Sequence, residues 1–597
     1  MDSTQIATSV ESLLGESIKT SSNYSNILTD LAIEMGPDKT RTQLFSVLEQ
    51  FIVTDREEFL PILCRELGKI HEYIGGYEHI DTLLPLLEKL SSSEESNIRK
   101  MTVESLLTIF EDVKATQFRK FINFISKLYN SEWFTNRATV IGLLSVAYEA
   151  STDPQDREDI CEIFCQLARD PMVLVRRAAA EKLGDWITTD GCCVKGFVTV
   201  ASAVHVKKNL VPVLIELLQD FQDSVKVLAV SSSPSVLNSL LAVEHVLPEE
   251  FMTSLQAVFD DPSWRVRCMV AETLPKLQCL LQDSCAPENF LLDTFLKLLC
   301  DKEVDVRAIA SGKILQFCQN LPSDVRLETT HHVIFPICEK LISDNAHEVR
   351  VALASNLPFL SPILGRDRSL ISIIPILHLL LSDSFPDVKL ALLSSMHVVK
   401  DVLEDFSFDT LIGETIAKLS EDKQWRVRVA VIKHSPEMSK ILASKGEDLF
   451  ADLIEKWLLD CVYSVREAAA DIIRELASSF GLHWAMEKVF PKINRLCNNS
   501  NYLYRITALS LINKLLPLLT LEIIVTSVLP LLFALGNDPV ANVRLNVART
   551  FGSIRQSLIE SGKSLDAIET DINKSLENLC KDSDQDVKLY AQQAIVT

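Results

Sequence analysis

Apolar residues in this chain recur at intervals of three and four, the period that lays one stripe along an α-helix. Val349, Ala352, Leu353 and Leu357 make one such stripe; Val587, Tyr590, Ala591 and Ile595 make another. Ahead of each stripe stands a short polar break holding an Asp. Ahead of the break runs an apolar segment such as PVLIELLQ or PILHLLLS. The pattern predicts a helix, a tight turn and a second helix, written many times over.

The break has a fixed grammar: an Asp, five residues, then Arg or Lys preceded by Val. It reads DKEVDVRAIA (301–310), DNAHEVRVALA (344–354), DSFPDVKLALL (383–393), DKQWRVRVAVI (422–432), DCVYSVREAAA (460–470), DPVANVRLNVA (538–548) and DSDQDVKLYAQ (582–592). Asp170/Arg176, Asp220/Lys226 and Asp261/Arg267 keep the same spacing, and weaker copies carry the register back to Arg137, Arg99 and Leu60. From Arg350 the basic position advances by 39, 39, 38, 39 and 39 residues to Arg544. A proline falls eight residues before the Asp at Pro212, Pro336, Pro375 and Pro530, and Pro85 and Pro491 hold that place before Ser93 and Asn499. The Asp is expected at the N-cap of the second helix, and the proline is expected to bend the first. A helix pair this short cannot bury its apolar faces alone. Stacking on neighbours does so, which predicts an all-α solenoid of about fifteen antiparallel helix pairs in place of the roughly four domains that length suggests.

Composition agrees. Only 17 of 597 residues are glycine, too few for the loops of a nucleotide-binding fold or the turns of a large sandwich. Lys+Arg 59 against Asp+Glu 81 leaves a net charge of −22, which repels phosphate backbones and anionic lipid. The 14 cysteines form no CxxC pair and no zinc-spaced quartet, so they are expected as buried thiols of a reducing compartment. The polar, acidic N-terminus lacks signal-peptide character, and a cytoplasmic or nuclear location is expected. Leu515–Gly536 carries Glu522 as its one charge but contains Pro517 and Pro530, and it divides between two repeat helices rather than spanning a membrane.

No nucleophile elbow, phosphate loop or metal-binding motif is present, so neither cofactor nor metal is expected. His331 and His332 are expected on different helical faces of a solvated helix start. The repeated Asp and Arg are structural, since an active site occurs once and a structural device recurs. The informative departures are aromatic. Trp264-Arg265 and Trp425-Arg426 precede a Val of the frame (Val266, Val427) that already fills the core-facing place. Trp and Arg are therefore expected on the turn side, either as interface anchors or lying flat on the neighbouring repeat. Trp133-Phe134 pose the same alternative.

The Pro…Asp…Val-Arg frame resembles the HEAT repeat. Taken in order, WFTNRATVIGLLSV (133–146), PMVLVRRAAAEKLG (171–184), SWRVRCMVAETL (263–274), ALASNLPFLSPILGRD (352–367), QWRVRVAVI (424–432), VYSVREAA (462–469), NYLYRITAL (501–509) and DPVANVRLNVA resemble the scaffold (A) subunits of protein phosphatase 2A. That resemblance implies a non-catalytic protein. It implies an Asp–Arg ladder along the turns, a regulatory (B-type) subunit on residues 1–400 and the catalytic subunit on 401–597. Carried onto matching positions, it implies catalytic-subunit contacts at Trp425, Arg426, Tyr463, Arg505, Val540 and Asn542. It implies regulatory-subunit contacts at Trp133, Phe134, Asp170, Pro171, Arg176, Arg177, Trp264 and Arg265.

Two departures stand out. Arg176 to Lys226 is 50 residues, and the excess lies in 188–209, a β-branched stretch expected to form a loop beside the regulatory-subunit ridge. Pro234 is expected to interrupt the second helix of its repeat. The alternative class is a nuclear-transport-type HEAT receptor for basic cargo. A third, a HEAT-containing enzyme, would have to place its chemistry in 188–209, where Asp190 and His205 are the acid–base pair at hand.

Overall fold

The computed structural model describes residues 10, 26–54, 59–110, 115–189, 205–241, 247–281, 290–403, 409–560 and 569–596. Among the described residues every regular element is helical. Most of 188–209 (190–204, with Asp190) lies outside them. The fold is an all-α repeat fold that divides into two compact units, Met1–Ala310 and Ser311–Thr597.

In the first unit the second helices of successive repeats stack side by side: Ser96–Phe110, Phe134–Ala150, Val173–Thr189, Asp223–Leu241 and Trp264–Leu281. First helices such as Ala115–Tyr129 and Pro154–Ala168 pack against them. The second unit repeats the arrangement with His347–Asn356, Pro386–Leu403, Tyr463–Phe480, Tyr502–Leu515, Ala541–Glu560 and Gln585–Val596. The apolar stripes form the core: Val266, Val349, Leu353, Val465, Leu509 and Val587 have no exposed surface. Fully burying such a side chain is worth about 1.5–3 kcal/mol.

Trp425–Leu458 is written as one 34-residue helical run. At 1.5 Å per residue a straight helix would set residues 428 and 460 about 48 Å apart. Yet Arg428 Nε donates to Asp460 Oδ2 at 2.7 Å, so the chain reverses within the run and the antiparallel pair is preserved.

Four of the frame prolines follow a widened turn of the first helix. Val206–Leu210, Thr330–Ile334, Ala485–Val489 and Ile524–Val528 are π-turns ending two residues before Pro212, Pro336, Pro491 and Pro530. In one of them the Phe335 N–H reaches back five residues to the Thr330 carbonyl. Widening the turn gives the ring room where a regular helix would have set a clashing carbonyl.

Three expectations are corrected. Pro234 lies inside the helix Asp223–Leu241 and does not interrupt it. It belongs to a second proline register, fourteen residues after the Asp, shared by Pro275, Pro358 and Pro436. At Pro436 the carbonyl that loses its donor, Ile432 O, accepts instead from the Ser435 hydroxyl at 2.6 Å. The Asp is not the N-cap: the caps of three second helices are Ala346, Gln424 and Val462, each two residues after it. Third, His331 and His332 do not diverge, since their rings meet edge-on with centroids 4.6 Å apart.

Leu515–Gly536 divides into short helical pieces as expected, and among the described residues no helix is long and apolar enough to cross a membrane. The helix Gln585–Val596 is tied down at its C-terminal end. Arg555, 5% exposed, donates through Nη1 to the Ala594 and Ile595 carbonyls at 2.8 and 2.9 Å. A buried cation on the last carbonyls satisfies acceptors that have no partner within the helix.

Candidate interface on the turn ridge

Most turns are built by an Asp. One carboxylate oxygen accepts the N–H two residues on: Met172 for Asp170, Ser263 for Asp261, Val462 for Asp460 and Val540 for Asp538, at 2.8–2.9 Å. This local closure is the Asx turn that short acidic side chains favour. The Arg six residues later folds back onto the same turn. Arg176 Nη1 donates to the carbonyls of Asp170 (2.9 Å) and Pro171 (3.1 Å), and Arg505 Nη1 to those of Asn499 (2.7 Å) and Ser500 (3.0 Å).

The remaining guanidinium edge reaches the Asp of the next repeat. Nε–Oδ2 distances are 2.7 Å for Arg137–Asp170, 2.6 Å for Arg176–Asp220, Arg267–Asp301 and Arg350–Asp383, and 2.7 Å for Arg428–Asp460. Arg505–Asp538 and Arg544–Asp582 continue the series at 2.7 and 2.6 Å. Nη2 closes each of these rungs on the second oxygen, and Lys226–Asp261 is a single-point rung. These pairs lie largely out of water, unlike exposed neighbours such as Lys297–Asp260.

Burial by itself would raise the carboxyls of Asp301, Asp383 and Asp460, but the hydrogen bonds from Arg267, Arg350 and Arg428, the backbone N–H each accepts and the nearby positive charges together outweigh it and hold them below the ordinary range. The hydrogen bond from Arg544 brings Asp582 from 3.8 down to about 2. A carboxyl whose pKa is depressed on folding contributes stability above its unfolded value and loses it as pH falls through the folded one. The denaturant midpoint of the second unit should therefore drop between about pH 4 and pH 2, with a shallower drop in Asp582→Asn. Superimposable pH profiles would show that this rung carries no such stability.

Outside the ladder the same turns expose large apolar side chains, at offsets of one to four residues from the frame position. In the first unit these are Trp133, Met172, Leu174, Phe221, Trp264 and Val304; in the second, Phe385, Trp425, Tyr463, Tyr502 and Leu503. Trp264 and Trp425 are each 37% exposed, and Arg265 and Arg426 stack over them at 5.0 Å from the ring centroid. Val266 and Val427 lie beneath in the core. The Trp-Arg pairs thus stand on the turn side, half out of the protein and already stacked as a unit.

The expected contact residues fall into two groups. Trp133, Pro171, Arg177, Trp264, Arg265, Trp425, Arg426, Tyr463 and Asn542 are exposed, and Phe134 and Val540 half-buried. Asp170, Arg176 and Arg505 are ladder members whose charged groups are engaged within the fold. Phe221, Met172, Phe385, Tyr502 and Leu503 were missed, although reading the four positions after the frame residue in every repeat finds them. Burial raises the thiols of Cys318 and Cys497 to about 12 and those of Cys64, Cys165 and Cys268 to about 11. Among the described residues no group of His, Cys, Asp and Glu could hold a metal ion. His205 bonds Tyr148 Oη (2.8 Å) and Glu158 (3.1 Å), tying the helix that starts there to the helices Phe134–Ala150 and Pro154–Ala168.

Residues 288–365 match the sequence model of the PPP2R1A-like HEAT repeat. Over 276 residues the chain is 34% identical to the regulatory A-type subunit of protein phosphatase PP2A from Schizosaccharomyces pombe, covering 46% of this chain and 44% of that protein. It is 34% identical over 369 residues to the beta isoform of the human 65 kDa regulatory A-type subunit of serine/threonine-protein phosphatase 2A, covering 61% and 58%. Over these stretches the chain is similar to protein phosphatase 2A A-type subunits. A protein phosphatase 2A scaffold subunit from Dictyostelium discoideum matches at 33% over 178 residues, 30% of each chain. The matches thus span 30–58% of these relatives' lengths. All three are named regulatory or scaffold subunits. Among solved structures, the Kap95:Nup1 complex aligns with TM-score 0.61 at 11% identity, covering 96% of this chain and 75% of that one. Yeast importin-beta (Kap95p) aligns with TM-score 0.58 at 12% identity, covering 96% and 73%. That likeness is one of HEAT-type fold.

Proposed function

We propose that this protein is the non-catalytic scaffold of a Ser/Thr protein phosphatase 2A complex. Residues 401–597 hold the catalytic subunit, while residues 1–400 hold an exchangeable regulatory one. The observation that carries the reading is the Trp-Arg ridge standing at the frame offsets in a chain about one-third identical to A-type subunits. Trp and Arg dominate interface energetics because a wide apolar ring and a bidentate cation desolvate together. Holding two partners on one frame raises the effective concentration of each for the other, with no chemistry of its own. A cytoplasmic and nuclear location accords with this role.

A pull-down from native cells with the full chain as bait should recover a Ser/Thr phosphatase catalytic subunit together with a regulatory one. Recovery of a small GTPase and basic cargo, without a phosphatase, would favour a transport receptor and overturn the proposal.

A further inference from the structure

A break in the second unit's ladder leaves a site. Where the frame calls for an Asp after Arg466 the chain has Asn499. Its Oδ1 accepts the Asn501 N–H at 2.9 Å, as the Asp of other turns does. That bond fixes the amide, so Nδ2 lies where other turns carry the second carboxylate oxygen. A donor there opposes the donors of Arg466, and the guanidinium takes a substitute. Nε bonds the Thr507 hydroxyl at 3.2 Å, while Nη1 keeps its own turn's Asp460 and Cys461 carbonyls at 2.8 and 3.2 Å.

Arg466 is 5% exposed, and among the described residues no carboxylate pairs with it. Its Nη2, which closes the rung on the second Asp oxygen in Arg505–Asp538 at 2.9 Å, makes no hydrogen bond and is not sealed from solvent. The Tyr463 and Tyr504 rings flank it, centroids 5.8 and 5.9 Å from the guanidinium carbon. A buried cation without a counter-charge is costly, and bidentate pairing with a carboxylate is what a guanidinium fork satisfies best. Asn499 Nδ2 adds a further donor to the same opening.

We infer that Arg466 and Asn499 form a receptor for one acidic side chain of the protein docked on this ridge, an Asp or Glu carboxylate seated between the two tyrosines. Resting on the scaffold reading, the inference assigns that carboxylate to the phosphatase catalytic subunit. The closed rungs use an Asp of the fold itself, whereas at this turn the free edge of the Arg466 fork is open to a partner.

The test compares the affinity of the full chain for purified phosphatase 2A catalytic subunit with that of Asn499→Asp and of Asn498→Asp, which adds the same charge one residue away on an exposed side chain. Asn499→Asp should close the rung internally, raise the thermal midpoint and weaken binding by about tenfold. Asn498→Asp should stay within about twofold of wild type. Equal affinities for the two variants would overturn the inference and leave the scaffold reading intact. So would a loss of affinity in Asn499→Asp without a rise in midpoint, since the new carboxylate would not have engaged Arg466. No binding by the wild-type chain would overturn both.

Discussion

Asp538→Ala is expected to destabilise the C-terminal repeats by about 3–5 kcal/mol, the range for removing one partner of a buried ion pair. Asp538 and Arg505 are 7% and 8% exposed, and both of their hydrogen bonds are buried. The substitution leaves a guanidinium out of water with only the Asn499 and Ser500 carbonyls, and it strips the Val540 N–H of its acceptor. A long repeat array need not unfold in one step, so the loss is best read locally. Native-state hydrogen exchange should show faster opening of Tyr502–Leu515 and Ala541–Glu560. Lys297→Ala removes an equally recognisable pair, but both partners are about two-thirds exposed, and the expected cost is under about 1 kcal/mol. Equal costs at the two sites would show that the ladder is no more than surface decoration. Replacing Arg505 and Asp538 together with Met and Leu should recover much of the loss, because no charge is then left unpaired.

The second large effect concerns partner capture. Trp425→Ala with Arg426→Ala should weaken capture of the catalytic subunit by about thirtyfold or more, the scale of removing an interface anchor worth 2 kcal/mol or more. The two side chains stack on each other outside the core, while Val427 beneath them is buried. Their removal deletes a ready-made apolar and cationic surface and leaves the helix packed. Helical circular dichroism should be unchanged. The matching pair Trp264→Ala, Arg265→Ala, on the ridge assigned to the regulatory subunit, should leave the affinity for the catalytic subunit within about twofold. If both pairs weaken it alike, the C-terminal assignment is wrong.

The repeat was legible because Asp, Val and Arg recur at one spacing and each answers to a simple constraint: a turn, a core contact and a counter-charge. Spacing does not tell which Asp an Arg reaches. Arg176 holds its own turn's carbonyls with one nitrogen and the next repeat's Asp220 with another two. Asp170, Arg176 and Arg505 therefore resemble free contact residues in the sequence when the fold already uses them. Pro234 reads as a break because a proline inside a helix loses a bond; packing against both neighbouring second helices keeps that helix whole. The exposed Tyr502 is within reach of the same reading, at the offset where Trp264 and Trp425 stand out, and Phe221 stands two residues earlier in its turn.

The most direct measurement of the central claim is native mass spectrometry of the full chain mixed with purified phosphatase 2A catalytic subunit. The account predicts a one-to-one complex that Trp425→Ala with Arg426→Ala largely abolishes. Two unassociated proteins at concentrations well above those in cells would contradict it.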